Sequence, residues 1–165
     1  MRKIILALFF VMIGIGVYGQ RGMKIGIHGG LPVDEFQEEA SIMLGVDIGY
    51  RFALGEIVDM GIMSGYVHGF PEKYHLDYGV DLPSIQFVPL AGSIRVWPSN
   101  SFSLGIDAGH ALGINEDNKG GLYYRPTVGY LMGGQTEVNV SYTGIKLEER
   151  SWTTISLGIL YTFDF

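Results

Sequence analysis

From residue 23 to the end of the chain, bulky apolar residues recur at every second position in eight separate stretches. Residues 23–31 set Met23, Ile25 and Ile27 against Lys24, Gly26 and His28, and residues 42–53 set Leu44, Val46, Ile48, Tyr50 and Phe52 against Gly45, Asp47, Gly49 and Arg51. The pattern returns at 57–68, 85–97, 102–112, 122–132 and 136–144. It ends at 151–165, where Ile155, Leu157, Ile159, Tyr161, Phe163 and Phe165 share one side. A period of two places successive side chains on opposite faces of an extended backbone, so each stretch predicts a strand with one apolar face. Eight such strands joined in sequence predict an all-β domain.

Nine charged residues fall within these stretches: Lys24, Asp47, Arg51, Asp59, Arg95, Asp107, Arg125, Glu137 and Asp164. All lie on the parity opposite the bulky apolar set, together with most of the strand glycines. A soluble barrel or sandwich would turn the apolar face inward and a membrane barrel would turn it outward, so alternation alone leaves both open. The connections favour the membrane. Tight linkers at 54–56, 98–101 and 133–135 alternate with connections at 32–40, 69–83, 113–121 and 145–150, most of them longer. A barrel with one end in the periplasm and one outside the cell has that asymmetry. Tyr50, Phe52, Trp97, Phe102, Tyr130, Phe163 and Phe165 gather at the tight-turn ends, with Tyr66, Phe70, Tyr124, Tyr142 and Trp152 near the other ends. Two aromatic belts about an aliphatic middle are what two membrane interfaces select. The expected fold is an eight-stranded antiparallel up-and-down transmembrane β-barrel.

The first residues follow a different pattern. Arg2 and Lys3 precede an apolar run from Ile4 to Ile15, then Gly16, Val17, Tyr18 and Gly19. This is the layout of a secretory signal peptide, and the run is well short of the roughly 20 residues that a spanning helix needs. A cleaved signal at 1–19 and a barrel domain at 20–165 are expected. Cleavage removes two positive charges, taking the formal net charge from −6 to −8, which argues against nucleic acid as a partner. The chain has no cysteine, so neither a disulfide framework nor a lipid-modified cysteine is available.

With strand count, connection lengths and the terminal "LYTFDF" in hand, the chain resembles the small outer-membrane β-barrel proteins of Gram-negative bacteria: OmpX, the membrane domain of OmpA and the PorT-like barrel families. The resemblance covers everything after the signal. It implies that Tyr161, Phe163 and Phe165 form an assembly signal read by the barrel-insertion machinery after delivery by periplasmic chaperones. It also implies a monomer in the outer membrane, in contact with membrane lipids and lipopolysaccharide.

Little points to catalysis. His28, His68, His75 and His110 show no short metal-ligand spacing, and no cofactor or metal is expected. Ser64 and His68 share a parity, which loosely suggests a lipid-cleaving pair, but no orienting acid is evident. The inward charges carry more weight. Four positive and five negative side chains would share a lumen that eight strands leave just wide enough for side chains. Buried charges demand partners, so they are expected to form an internal ion-pair network, with Lys24 facing Asp164 and Arg51 facing Asp59. Pro89 and Pro126 fall inside strands and predict bulges or local breaks in the ladder. The four outward connections sum to about −7 from their Asp, Glu, Lys and Arg residues. The functional expectation is a non-enzymatic structural or surface-interaction barrel with a filled lumen. The alternatives are a narrow pore for ions or small solutes and a lipid-modifying membrane enzyme.

Overall fold

The computed structural model describes residues 22–33, 40–71, 84–115, 118–148 and 150–163. The expected signal peptide, Asp164, Phe165, His75 and most of the acidic loop residues lie outside them. The chain forms eight strands: β1 Gly22–Val33, β2 Ala40–Ala53, β3 Val58–Pro71, β4 Ile85–Val96, β5 Phe102–Gly113, β6 Gly121–Met132, β7 Thr136–Lys146 and β8 Ser151–Phe163. Each pairs antiparallel with the next, and β8 pairs with β1 from Met23↔Phe163 to Val33↔Thr153, closing the barrel. Closure leaves no strand edge unpaired, which an apolar surrounding would not tolerate.

The tight turns follow from local chemistry. Gly55 (φ 106°) and Gly133 (φ 79°) supply the left-handed backbone that the β2–β3 and β6–β7 turns require. The Leu54 amide donates to the Val58 carbonyl at 2.7 Å, closing the first of these. Between β4 and β5, the Ser99 hydroxyl accepts from the Phe102 amide at 3.1 Å. One expectation about connections needs correction. The β7–β8 connection is residues 147–150, as short as the β2–β3 turn at 54–57, because β7 runs on to Lys146. The asymmetry between the two ends of the barrel therefore rests on the connections at 34–39, 72–84 and 114–120.

Pro89 and Pro126 each break the ladder on one side without changing its register. Pairing of β3 with β4 lapses between Ser64↔Leu90 and Val67↔Phe87, the span holding Pro89. Pairing of β6 with β7 lapses between Tyr124↔Gly144 and Thr127↔Ser141, the span holding Pro126. On the other side of each strand the ladder is continuous, through Pro89↔Ala111 and Ile106↔Pro126. Each proline thus faces the missing N–H toward one neighbour, and the registers on both sides of the gap hold the barrel closed.

The two faces of the wall have opposite character. Outward positions are mostly apolar and exposed along all eight strands, including Ile62 at 71% and Ile27 at 62%; His68 of β3 and His110 of β5 are outward polar exceptions. Lys24, Arg51, Asp59, Arg95, Asp107, Arg125 and Glu137 are buried on the inner face. The interior is layered. At the long-connection end it is apolar, with Met43, Phe87, Tyr123, Ile145 and Trp152 almost wholly buried. Charged side chains fill the middle and the tight-turn end.

Two aromatic assignments change accordingly. Trp152 is not part of an outer belt; it is fully buried inside, with its ring centroid 6.1 Å from that of Phe87. Gly69 makes room for it, since a Cβ there would come within 2.6 Å of the indole. Trp97 likewise turns inward at the tight-turn end, where its indole N–H donates to Asp59 Oδ2 at 2.7 Å. Strand parity explains both: Trp152 shares its side with Thr154, and Trp97 shares its side with Arg95, the inward ones in β8 and β4.

Candidate functional site

The interior charges group into two layers. The middle layer centres on Arg125 of β6. Its Nη1 donates to both carboxylate oxygens of Asp47, at 3.1 and 2.9 Å. Its Nε and Nη2 reach Asp107 Oδ2 at 3.1 and 3.0 Å. Asp107 is the cross-strand neighbour of Arg125 on β5, whereas Asp47 sits on β2, four strands away around the closed barrel. The planar guanidinium, with five donors in a fixed fork, is suited to hold two carboxylates at once. One side chain therefore ties opposite walls together across the lumen. Asp47 also meets His28 of β1, with Nδ1 3.2 Å from Oδ2. Gly45 completes the fit, because a Cβ there would run into the His28 ring.

The second layer lies toward the tight turns. Arg95 Nε is 3.8 Å from Glu137 Oε1, a link from β4 to β7. Arg51 Nε donates to the Ser93 hydroxyl at 3.0 Å, and Lys24 Nζ donates to the Thr162 hydroxyl at 2.7 Å. Asp59 accepts from Trp97. Thus Arg51 and Asp59 do not pair with each other as expected. Their side chains find partners at Ser93 of β4 and at Trp97 just past its end, because Arg51 and Asp59 sit two register steps apart, opposite Gly61 and Ala53 respectively. The expected partner of Lys24, Asp164, lies outside the described residues. Arg95 Nη1, Arg51 Nη1, Asp107 Oδ1 and Ser103 Oγ are buried with no protein partner. Such atoms ask for ordered water in the lumen.

The layer that reading by charge missed is the apolar one. Met43, Phe87, Tyr123, Ile145 and Trp152 all sit on the polar parity, where charges and glycines had drawn attention. The available signal was positional: these apolar intrusions cluster at the strand ends on the side of the barrel that carries the longer connections.

The terminal aromatics take the opposite face. Tyr161 and Phe163 are exposed outward with rings edge to face at 4.8 Å, and the Tyr161 hydroxyl donates to Gln135 Oε1 at 2.7 Å. On β3, His68 is also on the outward parity and its Nδ1 lies 3.1 Å from the Tyr66 hydroxyl, not from Ser64. Among the described residues, no group of His, Asp and Glu is arranged to hold a metal ion.

No family model matches the sequence, and no curated protein matches it. Solved structures do. The crystal structure of Ail, the attachment invasion locus protein of Yersinia pestis, aligns with a TM-score of 0.58 at 15% identity, over 87% of this chain and 97% of that one. Ail in complex with the heparin analogue sucrose octasulfate aligns with a TM-score of 0.54 at 17% identity, over 87% and 97%. The de novo designed TMB2.3 aligns with a TM-score of 0.59 at 13% identity, over 90% and 100%. The shared property is the fold, a closed eight-stranded antiparallel β-barrel.

Proposed function

We propose that the chain is an outer-membrane β-barrel of a Gram-negative bacterium, exported through a signal peptide at residues 1–19, with a filled lumen and a structural or surface-interaction role. The observation that carries this reading is the inverted wall: apolar residues exposed around the outside of all eight strands, charged residues buried within. In water that arrangement would leave a continuous apolar band exposed, far beyond the few hundred Å² usual for a soluble monomer. In a bilayer the band meets hydrocarbon and the buried charges meet one another.

The filled lumen is supported by two successive barriers, the apolar layer around Trp152 and the Arg125 bridge between Asp47 and Asp107. The reading is non-catalytic and monomeric. Outer-membrane lipids and lipopolysaccharide are the surrounding partners. The exposed Tyr161 and Phe163, with Phe165, suit recognition by the barrel-assembly machinery after transfer from periplasmic chaperones. The likeness to OmpX, the OmpA membrane domain and PorT-like barrels belongs to the same proposal. Ail was solved with a polyanion bound, but the outward connections of this chain are acidic, so a cationic or neutral surface partner fits them better.

Two measurements test the proposal. On intact cells, a membrane-impermeant thiol reagent should label a cysteine placed at Asp77 and spare one at Ser99; the reverse would overturn the orientation. In planar bilayers the purified protein should stay silent. Steady, ion-selective conductance would replace the filled lumen with a pore.

A further inference from the structure

At the tight-turn end, a cleft of about 360 Å³ opens between the β2–β3 and β4–β5 turns. Glu56, Ile57, Asp59, Trp97 and Pro98 are among its lining residues. Trp97 is fixed by two bonds: its amide donates to the Ile57 carbonyl at 2.8 Å, and its indole N–H donates to Asp59 Oδ2 at 2.7 Å. The ring and the carboxylate are thereby held against each other, with Glu56 exposed at the rim.

The anomaly is Asp59. It is 4% exposed, yet among the described residues it enters no ion pair. The other described carboxylates of the interior each meet a guanidinium: Asp47 and Asp107 meet Arg125, and Glu137 meets Arg95. Asp59 does not, although Arg95 is its cross-strand neighbour, because Arg95 turns toward Glu137. Arg51 and Lys24 are likewise engaged elsewhere, with Ser93 and Thr162. A single neutral donor on Oδ2 does not offset the desolvation of a carboxylate. Oδ1 accepts no hydrogen bond among the described residues, and it is not one of the fully enclosed unpartnered atoms of the interior. It faces the cleft that Asp59 lines.

We infer that this cleft binds a primary alkylammonium group, with its nitrogen on Asp59 Oδ1 and its carbon stem against Ile57, Pro98 and the Trp97 ring. A buried carboxylate without a counter-ion selects a cation. Its donors then select the kind. A divalent metal takes several oxygen ligands, and no group of His, Asp and Glu among the described residues is arranged to hold one. A guanidinium grips a carboxylate best through two parallel N–H bonds, but the Trp97 indole already occupies Oδ2. An ammonium is a compact charge that one oxygen can hold. An indole attracts it further, and the carboxylate of Glu56 draws it to the rim. The volume, at the low end of the roughly 300–1,000 Å³ usual for small-ligand sites, suits a short stem. The amine arrives from the aqueous side of the tight turns, free or as the lysine side chain of a peptide.

The test uses the refolded full barrel in non-ionic detergent, titrated with pentylamine, pentanol and pentylguanidine and followed by NMR. Pentylamine should shift the Trp97 indole N–H saturably and leave that of Trp152, at the far end of the lumen, unmoved. Pentanol should bind about tenfold more weakly or worse, the worth of a hydrogen bond to a charged group. Asp59→Asn keeps an acceptor for the indole and should weaken pentylamine by a similar factor. Glu56→Gln should weaken it about twofold, as for an exposed charge. Glu148→Gln, at the opposite end, should change nothing. Trp97→Phe frees Oδ2, so pentylguanidine should gain on pentylamine about fivefold, the worth of one more hydrogen bond, read at the amides of Gly55 and Asn100. Heat-modifiable mobility confirms that each variant folds. A matching shift with Nα-acetyl-lysine amide supports a peptide lysine as the source, and binding of pentylamine alone supports a free amine. Equal binding of pentanol and pentylamine, or a response unchanged in Asp59→Asn, would overturn the site. An unchanged preference in Trp97→Phe would overturn the choice of ammonium over guanidinium.

Discussion

Arg125→Leu is the most informative perturbation of the interior. Arg125 is 6% exposed and, among the described residues, is the one guanidinium contacting both Asp47 and Asp107, the latter wholly buried. Truncating it leaves two carboxylates in the lumen, one on each side, with His28 as the nearest remaining partner of Asp47. Removing one member of a buried ion pair costs about 3–5 kcal/mol, because the partner keeps its desolvation penalty and loses its compensation. With one cation serving two anions, the upper end applies: about 5 kcal/mol, or between three and four orders of magnitude in the folding equilibrium. The neutral triple variant Asp47→Asn, Asp107→Asn, Arg125→Leu removes the orphaned charge and should return to within about 2 kcal/mol of the parent, as replacements of whole buried ion networks often do. Urea unfolding in lipid vesicles measures this, followed by the fluorescence of Trp97 and Trp152, the two tryptophans of the chain. A single variant that loses less than about 1 kcal/mol would behave like a surface pair. That result, or a triple variant as unstable as the single, would refute the cross-lumen bridge as a structural element.

Three further outcomes are expected. Trp152→Ala should cost about 3–5 kcal/mol by emptying the apolar layer, yet bilayer recordings should remain silent because the Arg125 layer still closes the lumen; steady current would remove that second barrier from the account. Pro126→Val restores a backbone donor toward β7 and should add about 0.5–1.5 kcal/mol, with slower amide exchange at Ser141 to Thr143; no gain would mean that the break in the ladder has another origin. Deleting Phe165 should lower the amount of heat-modifiable barrel in the outer membrane, and normal levels would count against the terminal assembly signal.

Much of the fold was legible in the chain because a strand's period of two couples residue identity directly to face. Ile25, Ile27, Leu44 and Val46 had to share one side of the wall with one another, and Lys24, Asp47 and Arg51 the other, whatever the tertiary arrangement. Tight turns at Gly55 and Gly133 then set the order and antiparallel sense of neighbouring strands, which is local information. Closure was needed to decide which inward residues meet. Arg125 and Asp47 are 78 positions apart, and no pattern in either strand links them; they meet because closing eight strands brings β2 opposite β6. The same geometry turned the expected Arg51–Asp59 pair into separate contacts with Ser93 and Trp97, since register offsets the two side chains and β4 and the turn after it offer nearer partners. It also moved Trp152 from an expected belt into the interior, where Gly69 leaves the volume that its ring occupies. Parity is a property of the backbone and can be read one strand at a time, whereas contact across a lumen depends on register and closure together, which only the assembled barrel defines.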